Sequence, residues 1–299
     1  MLSTRLGELA ALGTASCWTV SALAFETAAK RVGSLAVNLI RMALAAVFLT
    51  ALHGLRSGTL LPLDASAHAW SWLAISGIVG FTFGDLCLFK SFVRIGPRLA
   101  TVVMCLAPPI AALLGWLFLG ERLGGLDVAA MVLIVAGVAV AMSARRPDEE
   151  ADADPRHRAT GFLLALGGAL GQAGGLVLSK IGMGGFDPFA ATQIRVLAGF
   201  AGFLIVAAAL DWAGKTRAAL ADGPAVRWAT LGAIFGPFLG VSLSLVAVQR
   251  TQAGVAASLM ATTPILILPV VVLMGREKLT FGAVAGALLA VAGVGLLFA

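Results

Sequence analysis

Apolar and polar positions along this chain segregate into long blocks rather than alternating within them. A hydrocarbon core of ~30 Å needs ~20 apolar helical residues, and the apolar blocks reach that length. Ten membrane spans are predicted, over residues 6–28, 35–55, 69–89, 96–119, 126–143, 159–181, 188–213, 225–248, 254–274 and 281–298. None shows the period-two alternation of a membrane β-barrel strand. One stretch is polar throughout: residues 144–158 read A-R-R-P-D-E-E-A-D-A-D-P-R-H-R. It cannot lie in hydrocarbon. It is therefore predicted to be a linker between a first repeat, 1–143, and a second, 159–299, with five spans each.

The halves resemble each other. Residues 104–123, M-C-L-A-P-P-I-A-A-L-L-G-W-L-F-L-G-E-R-L, return as residues 260–279, M-A-T-T-P-I-L-I-L-P-V-V-V-L-M-G-R-E-K-L. A constant offset aligns 84–143 with 240–299 without a gap, pairing Arg94 with Arg250, Met104 with Met260, Pro108 with Pro264, Glu121 with Glu277 and Gly137 with Gly293. Earlier in each half the offset shortens by two residues, so that Arg41 meets Arg195 and Trp18 meets Gln172. Five is odd, so equivalent halves must enter the membrane from opposite sides. The predicted fold class is an all-α integral membrane protein of ten transmembrane helices in two inverted five-helix repeats. Inverted repeats are typical of secondary transporters, whose site lies near the midplane between them. A proline inside a span frees backbone carbonyls that only protein or a water-lined cavity can satisfy at that depth. Pro108 and Pro264 are therefore predicted to mark breaks facing such a cavity.

Composition agrees with membrane insertion. The chain is 60% hydrophobic and 12% charged, with mean hydropathy +0.98, where a soluble domain carries ~25% charged residues. Its 36 glycines suit close helix approach. The net charge of +6 comes from basic residues between spans, so the expected partners are a lipid bilayer and a small-molecule substrate, not nucleic acid. Lys and Arg collect after the odd-numbered spans, at Lys30, Arg31, Lys90, Arg94, Arg145, Arg146, Lys215 and Arg217 among others. Fewer lie opposite: Arg5, Arg56, Arg122, Lys180 and Arg250. The positive-inside rule then makes the first set cytoplasmic and both termini external. Location in the cell (inner) membrane and a monomeric state are expected. Residues 6–28 read as a retained span, not a cleaved signal. Cys17, Cys87 and Cys105 read as small apolar fillers. The chain holds no phosphate-binding loop and no H-E-x-x-H motif, and His53, His68 and His157 sit at connections. No catalytic residue, metal or cofactor is expected.

Together the stretches A-P-P-I-A-A-L-L-G-W-L-F-L-G-E-R-L and T-P-I-L-I-L-P-V-V-V-L-M-G-R-E-K-L resemble the drug/metabolite transporter superfamily, specifically its EamA-type exporters. The N-L-I-R ending at Arg41 and the Q-I-R ending at Arg195 are similar to that family's second-span arginine. The resemblance covers nearly the whole chain. It implies export of metabolites or drugs, with the Trp and Phe content most like the amino-acid exporters, including those for aromatic amino acids. Members are often described with cytoplasmic termini; the charge count gives the opposite orientation and is retained as the expectation. Small four-span multidrug members carry a coupling glutamate in mid-span one. Here that region holds Cys17, Trp18 and Ser21, so proton exchange of that kind is not expected.

Helical spacing nominates site residues. Thr14, Trp18, Ser21 and Phe25 share one face of span one, and Gly168, Gln172, Gly175 and Ser179 share the matching face of span six. Trp18, Ser21, Gln172 and Gly175 are taken as substrate-binding, with Phe81, Met104, Pro108, Ser244, Thr263 and Pro264. The plainer reading of these positions is helix packing. Pockets are mostly apolar with a few placed polar groups, as this set would be. Arg41, Arg195 and Asp85 are candidates for charge recognition or coupling, since charge at that depth is costly. For the arginines, a structural tie to a carbonyl is the competing reading. Glu26 also reads as a buried acid, and Glu121 and Glu277 as caps of the following helix. The Trp residues at span ends, Trp70, Trp72, Trp212 and Trp228, read as an interfacial belt. The expected function is alternating-access export of small organic metabolites, amino acids foremost. A carrier of phosphorylated or nucleotide-linked sugars is the alternative within the class. A membrane enzyme or structural subunit is the alternative outside it.

Overall fold

The computed structural model describes residues 5–143, 155–210, 212–273 and 280–298, all as helices and short connections. The first half supplies α1 (Leu6–Val32), α2 (Ser34–Ser57), α3 (Ala67–Gly77), a π-helical segment π1 (Ile78–Asp85), α4 (Leu86–Met104), α5 (Ala107–Leu119) and α6 (Gly125–Ser143). The second supplies α7 (Pro155–Met183), α8 (Pro188–Ala209), α9 (Ala213–Ala221), α10 (Gly223–Ala233), π2 (Ile234–Gly240), α11 (Val241–Arg250), α12 (Ala253–Met260), α13 (Thr263–Leu273) and α14 (Phe281–Leu297). Most of the linker, residues 144–154, lies outside the described residues, as does Glu277.

Among the described residues eight helical stretches are long and apolar enough to cross a membrane: Leu6–Val32, Ser34–Ser57, Ala67–Ile95, Ala100–Leu119, Arg158–Met183, Pro188–Ala209, Gly223–Arg250 and Ala253–Val270. The shorter apolar helices Gly125–Ala141 and Phe281–Leu297 occupy the places of the predicted fifth and tenth spans. Local sequence explains many boundaries. Asp187 accepts a hydrogen bond from the Ala190 N–H at 2.9 Å, and Pro188 fills the first turn of α8. Asp222 and Pro224 repeat that arrangement at α10, with the Ala225 N–H donor at 2.9 Å. Such caps satisfy N–H groups that a helix start leaves orphaned, and proline there removes a donor that had no partner. Helix α5 ends at Gly120, whose φ of 66° is the left-handed conformation glycine adopts without strain.

Helix pairing follows the repeat. Matched spans meet across the halves: α2 with α8, α5 with α12, α6 with α14. The first span of each half packs on the third of the other, α1 on α10–π2–α11 and α7 on α3–π1–α4. The partners run antiparallel. In α6 and α14, a Cβ on Gly137 would lie 2.5 Å from the Ala290 nitrogen, and one on Gly286 2.4 Å from the Ala141 nitrogen. Rising numbers in one helix thus meet falling numbers in the other. Lipid supplies no hydrophobic drive for association, so backbone approach at small residues must provide the van der Waals contact. The largest buried cluster sits where α6, α11, α12 and α14 converge, around Ile134, Leu245 and Leu259.

Candidate functional site

Spans three, four, eight and nine all depart from regular α-helix near their middles. Span four stops at Met104 and restarts as α5 at Ala107, with Pro108 in its first turn. Span nine stops at Met260 and restarts as α13 at Thr263, just before Pro264. These are the breaks expected from the prolines, placed where their missing N–H groups cost no helical bond. Spans three and eight widen into π1 and π2. Periodicity gave no warning of the π segments, although Gly80, Gly84, Gly236, Pro237 and Gly240 stand in them at the repeat offset. Such departures often sit at functional sites.

A cavity of ≈ 380 Å³ opens between these four irregularities, within the ~300–1,000 Å³ of small-molecule pockets. Its apolar wall comes from Trp18, Phe25, Phe81, Met104, Met260 and both break prolines; its polar lining includes Ser21, Thr101, Gln172, Ser244 and Thr263. Arg41, Asp85 and Arg195 are the charged lining residues. Every residue taken from sequence as substrate-binding or for charge recognition therefore lines one cavity, with the exception of Gly175; Thr14 and Ser179, on the same helix faces, lie off it. That glycine packs into the helix contact: a Cβ there would meet the Gly80 Cα at 2.8 Å. Glu26 is also elsewhere than expected, exposed and ion-paired with Lys30 one turn on.

The walls are built on a seam with common register and unequal side chains. Phe25, Ser21 and Trp18 of α1 descend along Gly232, Gly236 and Gly240. Ser179, Gly175 and Gly171 of α7 descend along Ser76, Gly80 and Gly84. On the second seam glycine faces glycine, and the Ser76 hydroxyl donates to the Gly175 carbonyl at 2.5 Å. On the first seam rings fill the space against glycine. A Cβ on Gly240 would lie 2.7 Å from the Trp18 indole nitrogen.

The two arginines differ although the repeat equates them. Arg41 forms an ion pair with Asp85 and lies over the Phe25 ring, 5.3 Å from its centroid. Arg195 has no ion pair among the described residues, and its Nε, like that of Arg41, has no hydrogen-bond partner. It is 5% exposed. Its guanidinium sits 5.1 Å from the Phe81 centroid. The cause is one position. The offset that equates Gly84 with Gly240 equates Asp85 with Val241. A cation–π contact contributes about 0.5–2 kcal/mol, while placing an arginine at mid-span costs about 2.5–3.5 kcal/mol on the gentlest scale. Phe81 alone does not offset that cost. The Arg195 backbone is fixed by close packing: a Cβ on Gly77 would lie 2.2 Å from its carbonyl oxygen.

A polar latch joins helix ends away from the cavity. Lys180, near the end of α7, pairs with Glu121 at 2.6 Å and donates to the Thr251 carbonyl at 2.6 Å. Glu121 also accepts from the Ala253 N–H at 2.8 Å. Expected to cap its own next helix, Glu121 instead caps α12 of the other half. Among the described residues no group of three or more His, Cys, Asp or Glu could hold a metal.

The EamA-like transporter family matches this chain over residues 5–143 and again over 159–299. A solved structure known only as "Crystal structure of protein" superposes with a TM-score of 0.74 at 18% identity, covering 97% of this chain and 96% of that one. That likeness shows the fold alone. No curated protein matches. With the family spanning both halves and eight helical stretches fit to cross a bilayer, the chain belongs to the EamA-like transporter family and is an integral, multi-pass membrane protein built to move small molecules.

Proposed function

We propose that this protein is a secondary transporter that exports small organic metabolites, with large apolar and aromatic amino acids as the leading substrate class. It works by alternating access of two inverted five-helix repeats, 1–143 and 159–299, about a central site. It acts as a monomer in the cell (inner) membrane, with the linker 144–158 cytoplasmic and both termini outside, as the Lys and Arg distribution favours. The carrying observation is the cavity itself. It lies between the halves, at the two proline breaks and the two π segments, and both halves line it. Interrupted helices let a transporter wall its site with backbone as well as side chains and re-orient on either side of it. The aromatic rings and few polar groups suit an apolar body with one polar handle.

Phosphorylated or nucleotide-linked sugars fit less well. They would call for several free cations, and Arg41 is already committed to Asp85. Counterflow in proteoliposomes tests the reading. Vesicles preloaded with unlabelled phenylalanine, leucine or tryptophan should accumulate the labelled amino acid above protein-free vesicles. Accumulation of sugar phosphates but of no amino acid would overturn the substrate class.

A further inference from the structure

We propose that Arg195 is the substrate's anion receptor: the cavity recognises a carboxylate on an apolar body. This rests on the transporter reading above and deepens it. Three observations carry it.

The first is the unbalanced charge. Two guanidinium groups and one carboxylate line the cavity, and Asp85 is held by Arg41. Arg195 is left buried, with no ion pair among the described residues. A guanidinium stays protonated in proteins and offers a planar fork that matches a carboxylate. The second is what stands in place of its counter-ion. Val241, at the position equivalent to Asp85, lines the same cavity and is apolar. The imbalance is thus a difference between the repeats, with Arg195 on the side that lacks the acid.

The third is the way the neighbouring hydroxyls spend their protons. Hydroxyls at the span-nine break are spent on nearby carbonyls: Thr262 donates to Leu259 and Thr263 to Met260, both at 2.7 Å. Ser244 does the same to Val241 at 2.7 Å. These carbonyls each already accept a bond. The protons of these hydroxyls are therefore committed, and Arg195 is the strong donor left for an anion. A ring on the ligand's far end would meet Trp18, Phe25 and Phe81.

The test uses the full chain in lipid nanodiscs, with binding read by quenching of tryptophan fluorescence. The probes are 3-phenylpropionate, phenylalanine and phenethylamine, which share the ring and differ in charged groups. Both carboxylates should bind, and the amine at least tenfold more weakly. Arg195→Gln should weaken both carboxylates at least tenfold; Arg195→Lys should restore part of the loss. Val241→Asp keeps Arg195 and supplies it with the acid that Arg41 has, so it too should abolish carboxylate binding. It also stands as a second route should Arg195→Gln fail to fold. Equal binding of the amine, or carboxylate binding unchanged in both Arg195→Gln and Val241→Asp, would overturn the proposal. Counterflow separates the two readings. Amino-acid exchange that is indifferent to Arg195→Gln defeats the receptor and leaves the transporter standing. Carboxylate binding that depends on Arg195, without exchange of any probe, defeats the transporter and leaves the receptor.

Discussion

The Ala253 backbone N–H donates to Glu121 Oε2 at 2.8 Å, so a carboxylate of the first half caps the opening turn of a helix in the second. Lys180 completes the junction, binding both Glu121 and the Thr251 carbonyl. Any motion that parts α5 and α7 from α12 must break this junction. Hydrogen bonds to charged groups contribute about 1.5–3 kcal/mol each when shielded, and these carboxylate and ammonium groups are only partly exposed. Glu121→Gln should therefore shift the protein toward a state open at this end. A single cysteine replacing Gln172, in a background lacking native cysteines, should then react faster with a thiol reagent applied from that side. An unchanged rate would remove the latch from the transport cycle.

The α6–α14 contact makes a different demand. Gly137 and Gly286 meet backbone, not yielding side chains. Gly137→Val or Gly286→Val must push the helices apart, and overpacking of this sort costs about 1–3 kcal/mol. Thermal unfolding in detergent should show a clearly lowered Tm for either variant. Neither residue lines the cavity, so counterflow per folded molecule should persist.

Trp18 tests the apolar wall. It is only partly buried, one edge against Gly240 and the rest along the cavity. A fully packed aromatic would cost about 3–5 kcal/mol on truncation to alanine; a ring facing open volume should cost much less. Trp18→Ala is expected to raise the KM for large apolar substrates about tenfold with a small change in Tm. Normal transport with a strongly lowered Tm would assign the ring to packing instead.

At the span ends, Arg31 in the last turn of α1 pairs with Asp222, which lies just outside the span that begins with α10, with Nε to Oδ1 at 3.0 Å. The hydrogen bond from Arg31, then the Ala225 N–H, holds the Asp222 carboxyl below its usual range. A carboxyl depressed by folding stabilises the native state above its unfolded pKa of ~3.9 and ceases to do so as pH falls through the folded value. Asp222→Asn should therefore lower Tm at pH 7 and converge with the parent protein as the medium is acidified below the ordinary carboxylate range. The pair is exposed, so the effect is small. A Tm difference that grows on acidification would contradict it.

The sequence made most of the cavity wall legible because its signals are local. Pro108 and Pro264 each remove a donor from a membrane helix, and a missing N–H announces itself wherever it falls. Trp18, Ser21 and Gln172 share faces by helical period alone. What stayed hidden depends on which helices become neighbours. Arg41 and Asp85 stand on separate spans, and their pairing follows from both side chains reaching the one cavity. Glu121 reads as a local cap until α12 is brought against α5. The π segments have no period of their own in the sequence. Gly80 and Gly84 permit the widened turn, and the approach of Gly171 and Gly175 accompanies it. Gly175 lies in a helix contact for the same reason, since a glycine lining a pocket and a glycine touching another helix read alike in sequence.

The unequal seams have a thermodynamic consequence. Were the two halves identical, the conformation open to one side would be the two-fold rotation mate of that open to the other, and the protein itself would prefer neither. With Trp18 and Phe25 wedged on glycines in one seam and glycine laid on glycine in the other, each conformation strains a different set of contacts. The degeneracy is lifted. On the alternating-access reading proposed above, the empty carrier is therefore expected to rest with its populations skewed to one face of the membrane, even without substrate or an ion gradient.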